Sequence, residues 1–371
     1  MLLAVALALA CPTGGTGVQH GPVLPVDPGS AVLKVTPTLS ALGGASMTLD
    51  DVLALPDARG APLAEDPAVE SFARGFTWAD ADRDDPAWMP QGLAGGFEAA
   101  RQPDRMLVAW YAVDGEAAEG AGVRLSVVDL ESLAYTEVLL VDGSSGLAAP
   151  IPIHAGGIVW VADTLYVADT TRGLRTFDLA GLREADPALA YGHRFVVPQS
   201  GMAEASGCDL RFSFLSYDIG RGELLSGTFS DTDPDTPILA WPLDADGTLA
   251  TETPAVSAWI AQQTDLQGVL RNGDDWWRSA SLQQGKDGAL FASRDAGPPT
   301  LHPWPRAPEA LTYDPDRDEL WSQTERIGHR EVFAVTPPRV ACGSPLGVGG
   351  VGALGAVLAV AGRRRQSRDP G

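Results

Sequence analysis

Residues 213–224 read SFLSYDIGRGEL and residues 309–320 read EALTYDPDRDEL, aligned without a gap and identical at six of twelve positions. A third stretch, HAGGIVWVADTL at 154–165, has the same length from a polar first residue to a closing Leu. Self-similarity of this kind means that one supersecondary unit recurs along the chain. Around these phrases, short apolar runs alternate with Gly, Pro and Asp clusters. That is the pattern of antiparallel strands joined by tight turns, so the unit is all-β.

The runs group in fours. The first set is GLAGGF (92–97), RMLVAWYA (105–112), VRLSVVDL (123–130) and YTEVLLVD (135–142), and three more sets of four follow. The fifth has only EALTYD (309–314), ELWSQTE (319–325) and EVFAV (331–335). Four strands per unit, repeated around a ring, predict a β-propeller. The strand-like SFARGFTW (71–78) precedes the first set. Donated as the outer strand of the last blade, it would leave no frayed sheet edge. Residues 71–336 therefore read as a five-bladed propeller, or six-bladed if 17–70 adds a blade. Residues 11–70 read as a Pro- and Gly-rich linker or wrap. It holds one helical piece, TLDDVLAL (48–55), with Thr48 at the N-cap.

Both ends read as addresses. MLLAVALALA (1–10) is a short apolar run with small residues before Cys11, like a signal peptide without its positive n-region. Ala8-Leu9-Ala10-Cys11 also resembles a lipobox, which makes Cys11 a candidate for lipidation. At the other end, residues 340–362 carry no charge and precede Arg363-Arg364-Arg365. As a helix this stretch would span roughly 34 Å, enough for a bilayer core. The arginines would stay cytoplasmic and leave the body outside. Cys342, the apolar span and the arginine cluster together resemble the MYXO-CTERM class of bacterial sorting tails. That resemblance implies recognition of 337–371 by a sorting machinery and cutting near Cys342. A plain C-terminal transmembrane anchor is the alternative. Either way the body is exported, at the cell surface or membrane-anchored.

Net charge is −22 overall, and the tail 363–371 carries +3, which leaves −25 on residues 18–342. Such a body repels phosphate backbones and excludes nucleic acid as a partner. The three cysteines, Cys11, Cys208 and Cys342, form no CxxC and imply no disulfide framework.

Several phrases resemble a family of secreted bacterial β-propeller proteins of unknown function, found mainly in actinobacteria. They include WMPQGL (88–93), HAGGIVWVADTLYVADTTRGLRTFDL (154–179), HRFVVPQ (193–199) and PEALTYDPDRDELWSQTE (308–325). The resemblance covers roughly residues 71–336. It implies a propeller and export, and brings no reaction with it.

With the repeats in register, one polar position begins each innermost strand: Gln91, His154, Ser213, Gln267 and Glu309. Innermost strands line a propeller's channel, so these five should converge at one mouth and could bind a ligand there. A merely solvated mouth would also carry polar residues. A glycosidase needs paired carboxylates at such a ring, and Glu309 is its only acid. Asp80-Asp82-Asp84, Asp231-Asp233-Asp235 and Asp314-Asp316-Asp318 each open like a calcium loop but lack Gly at the sixth position. Asp80, Asp82 and Asp84 are the best candidates for Ca2+, against ordinary turn chemistry for all three. HExxH, GxSxG and P-loop motifs are absent. The leading functional expectation is a surface binding or scaffold protein with a small-molecule or protein ligand. The alternative is a calcium-assisted, lactonase-like hydrolase or lyase at the channel mouth.

Overall fold

The repeated phrase folds as a hairpin. Tyr217-Asp218 and Tyr313-Asp314 end one strand, and Glu223 and Glu319 open the next, paired as Asp218 with Glu223 and Asp314 with Glu319. Both aspartates are fully buried. Asp314 Oδ1 accepts from the backbone N–H groups of Asp316 at 3.0 Å and Arg317 at 3.1 Å. Asp218 Oδ1 accepts from the N–H of Arg221 at 3.0 Å. A short acceptor that binds its own turn is what fixes a four-residue loop.

The computed structural model describes residues 11–64, 67–113, 121–282 and 287–340. The chain is all-β. Helix among the described residues is confined to Leu49–Leu53, Asp80–Arg83 and a 3-10 turn at Leu179–Gly181. Thr48 caps the first helix with a reciprocal bond to Asp51. Five antiparallel meanders follow one another. The first is Trp88–Gly95, Arg105–Ala112, Val123–Asp129 and Ala134–Asp142. The second is Ile158–Val161, Thr164–Asp169, Gly173–Asp178 and Phe195–Ser206. The third is Phe214–Asp218, Glu223–Gly227, Pro237–Pro242 and Ser257–Ile260. The fourth is Leu266–Asn272, Asp275–Ala280, Gly288–Arg294 and Thr300–Trp304. The fifth is Pro308–Asp314, Glu319–Thr324 and Glu331–Val335, and beside it pairs Phe72–Thr77 from before the first meander. Phe195–Ser206 also pairs in parallel with Ala134–Asp142, so the first two meanders share one path of eight strands.

The cores lie between neighbouring sheets. Leu125 and Ile158 share one cluster, Tyr166 and Leu224 the next, and Phe214 and Phe291 another. Trp277 packs with Phe333 between the fourth and fifth sheets, and Trp110 shares a cluster with Trp321 between the fifth and first. First strands of neighbouring meanders also touch, and the fifth touches the first. Glycine permits this approach: a Cβ on Gly157 would sit 2.1 Å from the backbone N of Leu215. One on Gly92 would sit 2.9 Å from Ile158 Cγ2.

Residues 11–64 run outside the sheets. Leu24–Val26 adds to the third sheet, Val32–Pro37 to the second, Ala58–Arg59 to the first and Ala61–Pro62 to the fifth. Four outer edges thus gain an extra strand, which blunts them against pairing with other chains.

The structure corrects the cysteine reading. Cys11 and Cys208 form a disulfide across a sequence separation of 197. It ties the start of the wrap to the loop between the second and third meanders. A sulfur in a disulfide cannot also carry a thioether-linked lipid, so Cys11 is not a lipidation site in this structure. The signal peptide at 1–10, and the tail with Cys342 from 341 onward, lie outside the described residues. Among the described residues no helix is long and apolar enough to cross a membrane.

Candidate functional site

The five ring positions divide into two groups. His154, Ser213 and Gln267 line one cavity of about 640 Å3, together with Ile153, Arg175 and Phe229. The His154 ring lies 4.3 Å from that of Tyr111, centroid to centroid, and desolvation there holds its imidazole below the ordinary histidine range. Ser213 Oγ accepts from the backbone N–H of Phe229 at 3.0 Å. Gln267 and Phe229 also line a second cavity, of about 990 Å3, with Met89, Asp265, Arg306 and Glu325. The two cavities therefore meet along Gln267 and Phe229.

Gln91 and Glu309 sit beneath, buried, 3% and 1% exposed. Gln91 Nε2 donates to Glu325 Oε2 at 2.7 Å and to the Pro90 carbonyl at 3.1 Å. Burial and the neighbouring Glu325 charge push Glu309 well above the usual carboxylate range, against the polar Gln91 amide nearby. Burial likewise raises Glu325, opposed by Gln91 and the Arg330 charge. Glu309 Oε1 and Gln323 Oε1 are buried acceptors without a partner among the described residues. Gln323 spends its amide on the carbonyls of Gln91 at 2.8 Å and Gly92 at 3.4 Å.

The register sorts the five along another line, with Gln267 beside Gln91 and Glu309. The strand ladder slips between Pro90 and Leu93, between Leu266 and Gly268, and between Pro308 and Leu311. Gln91, Gln267 and Glu309 each fall inside such a bulge. A bulge re-aims its side chains and bends its strand, which is why bulges collect at sites. His154 and Ser213 instead lie ahead of their strands, which start at Ile158 and Phe214. The expectation that all five begin an innermost strand is corrected accordingly: Gln91 is the fourth residue of Trp88–Gly95. Backbone strain gathers on the same side, where Asp265 and Ala307, both lining the second cavity, hold φ of 59° and 52°. Non-glycine residues in that region cost of order 1–3 kcal/mol each and persist only where their surroundings hold them.

The calcium reading of Asp80, Asp82 and Asp84 is overturned by geometry. These residues form and close a short helix, so their carboxylates do not converge. Asp80 and Asp84 both bind Arg83, at 2.8 and 2.9 Å. Asp82 accepts from Arg124 at 2.9 Å and from the Tyr135 hydroxyl at 2.5 Å. Among the described residues no group of three His, Cys, Asp or Glu side chains could hold a metal ion. Arginine occupies the role that a cation would take.

Sequence reasoning missed Glu325, Phe229 and Arg330. Glu325 stands just past the repeated phrase, which ends at Leu320. Arg330 is fully buried and donates to the carbonyls of Asp82 at 2.6 Å, Trp88 at 2.7 Å and Glu325 at 3.2 Å. It clamps the fifth sheet to the first beside the carboxyl pair. Burial lowers its pKa to about 10, still charged at neutral pH.

No family model matches this chain, and no curated protein does. Among solved structures, hydrazine synthase of Kuenenia stuttgartiensis matches at 12% identity and a TM-score of 0.32. The match covers 64% of this chain and 74% of that one. A TM-score of that size carries no inference.

Proposed function

We propose that this chain is an exported, surface-attached five-bladed β-propeller that binds a ligand at one mouth of its channel. Five meanders, five intersheet cores and contact between the fifth and first inner strands support the blade count. Phe72–Thr77 would be the outer strand of the last blade. The Cys11–Cys208 bond suits an oxidising compartment. Residues 337–371 would supply surface attachment, by a helix in the membrane or through a sorting machinery. One observation carries the binding reading: two cavities meet along Gln267 and Phe229 at the ring of first-strand residues. Concave sites with a few converging polar groups are where ligands bind.

Fractionation checks attachment and export. The expected result is the mature body outside the cytoplasm; an intact chain with both ends in the cytosol would refute it. A second reading, a hydrolase or lyase without calcium, draws on two neighbouring carboxyls raised by burial, Glu325 at the wall of the second cavity and Glu309 buried behind it. Purified protein assayed on lactone and ester substrates decides between them. The binding reading expects no turnover, and turnover abolished by Glu325→Gln would replace it with the enzyme.

A further inference from the structure

Resting on the reading of the mouth as a binding site, we propose that its ligand is polyhydroxylated, an oligosaccharide seated in the cavity between Phe229 and Glu325. The chemistry of the wall selects this class. Gln267, Asp265, Arg306 and Glu325 carry planar groups with two adjacent donors or acceptors. Such groups match vicinal hydroxyls, each of which both donates and accepts. Thr264 and Ser281 add hydroxyls to the same wall.

Phe229 supplies the apolar complement. It is among the exposed large hydrophobic residues, at 37%, and stands where the two cavities join. An exposed aromatic ring amid polar side chains offers a flat face to the C–H side of a sugar ring. Its backbone is pinned by Ser213, so the platform is held before a ligand arrives. Glu325 is held likewise, by Gln91 at 2.7 Å. Preorganised polar groups lose less on binding than groups that must first be ordered.

Other classes fit less well. A phosphorylated or strongly anionic ligand would approach a body of net charge −25 over residues 18–342. An extended peptide binds by adding to a sheet edge, and four of the five outer edges already carry a strand of the wrap. The cavity walls present side chains.

The test uses the purified full chain on an array of neutral, amino and acidic oligosaccharides, with a short-peptide library in parallel. Wild type, Phe229→Ala and Glu325→Gln are compared, and circular dichroism checks folding. The expected result is binding to at least one oligosaccharide class, weakened about tenfold by Phe229→Ala, as losing a stacked aromatic contact implies. Since Phe229 is exposed, that variant keeps its fold even if Glu325→Gln does not. Saccharide binding untouched by Phe229→Ala overturns the proposal by placing the sugar elsewhere. Peptide binding lost in Phe229→Ala with a silent sugar array overturns the saccharide class and leaves the mouth as a binding site. Silence of both libraries overturns both readings.

Discussion

One arc of the ring, His154, Ser213 and Gln267, lines open cavity, while the other, Gln91 and Glu309, is sealed between the fifth and first sheets. All five sit near corresponding points of the repeat, yet they do different things. On the open arc water can satisfy polar atoms that the protein does not. On the sealed arc polar atoms depend on partners inside the protein: Gln91, Gln323 and Arg330 supply several, while Glu309 Oε1 and Gln323 Oε1 have none among the described residues. Register places a residue at its point in the repeat, but what covers it decides whether it faces a cavity or is sealed between sheets.

The hardest test of that contrast is Arg330→Met. The change leaves the buried carbonyls of Asp82, Trp88 and Glu325 without their donor. Buried groups left without partners cost ~1–3 kcal/mol each, so the expected loss is about 3–5 kcal/mol. Arg211→Met, an exposed arginine on the wall of the open arc, should change stability by less than about 0.5 kcal/mol. Urea denaturation of the two variants measures the difference, and equal effects would erase the distinction between the arcs.

Much of the architecture was legible because it rests on local chemistry. The repeated Tyr-Asp and Glu-Leu phrase marks a hairpin whose buried aspartate binds its own loop. Gly92 and Gly157 follow polar ring positions because neighbouring inner strands leave no room for a Cβ. What stayed hidden depends on contacts distant in sequence. Cys11 and Cys208 are 197 residues apart, and no spacing rule joins them. The bulges at Gln91, Gln267 and Glu309 each add one residue, and the glycines and prolines at them, Gly92, Pro90, Gly268 and Pro308, look the same in sequence as those of ordinary turns and strand ends. Glu325 became visible only when the fifth sheet packed on the first through Gln91. The aspartates at 80, 82 and 84 misled because an alternating acidic run looks the same whether it meets a cation or an arginine.

Opposite pH responses should sharpen the comparison. On the sealed arc, Glu309 has a pKa raised above 4.5 in the folded protein. The folded state then holds a proton that the unfolded chain releases, so stability falls as pH rises above about 4.5. On the open arc, His154 has a pKa lowered from 6.5. Here the unfolded chain binds the extra proton, so this contribution falls as pH drops below about 6.5 and is complete above it. Glu309→Gln should therefore flatten the decline at higher pH, and His154→Gln should flatten the decline on the acid side. Urea midpoints from pH 4 to 8 read both slopes, and slopes of the same sign would contradict the assigned environments.

The smallest expected effect belongs to Ser213→Ala. It removes one neutral hydrogen bond, from the Phe229 N–H to Ser213 Oγ, at an exposed site where water can take the acceptor's place. A bond of that kind contributes about 0.5–1 kcal/mol, so the midpoint of unfolding should barely move. The local consequence should exceed the global one, because that bond holds the backbone of the ring at the junction of the two cavities. Hydrogen exchange at the Phe229 amide should quicken by up to about fivefold, the rate equivalent of the lost bond. Exchange in the strand Phe214–Asp218 should stay as it was. A variant that unfolds as readily as Arg330→Met would mean that Ser213 belongs to the sealed structure, and the open arc would shrink to His154 and Gln267.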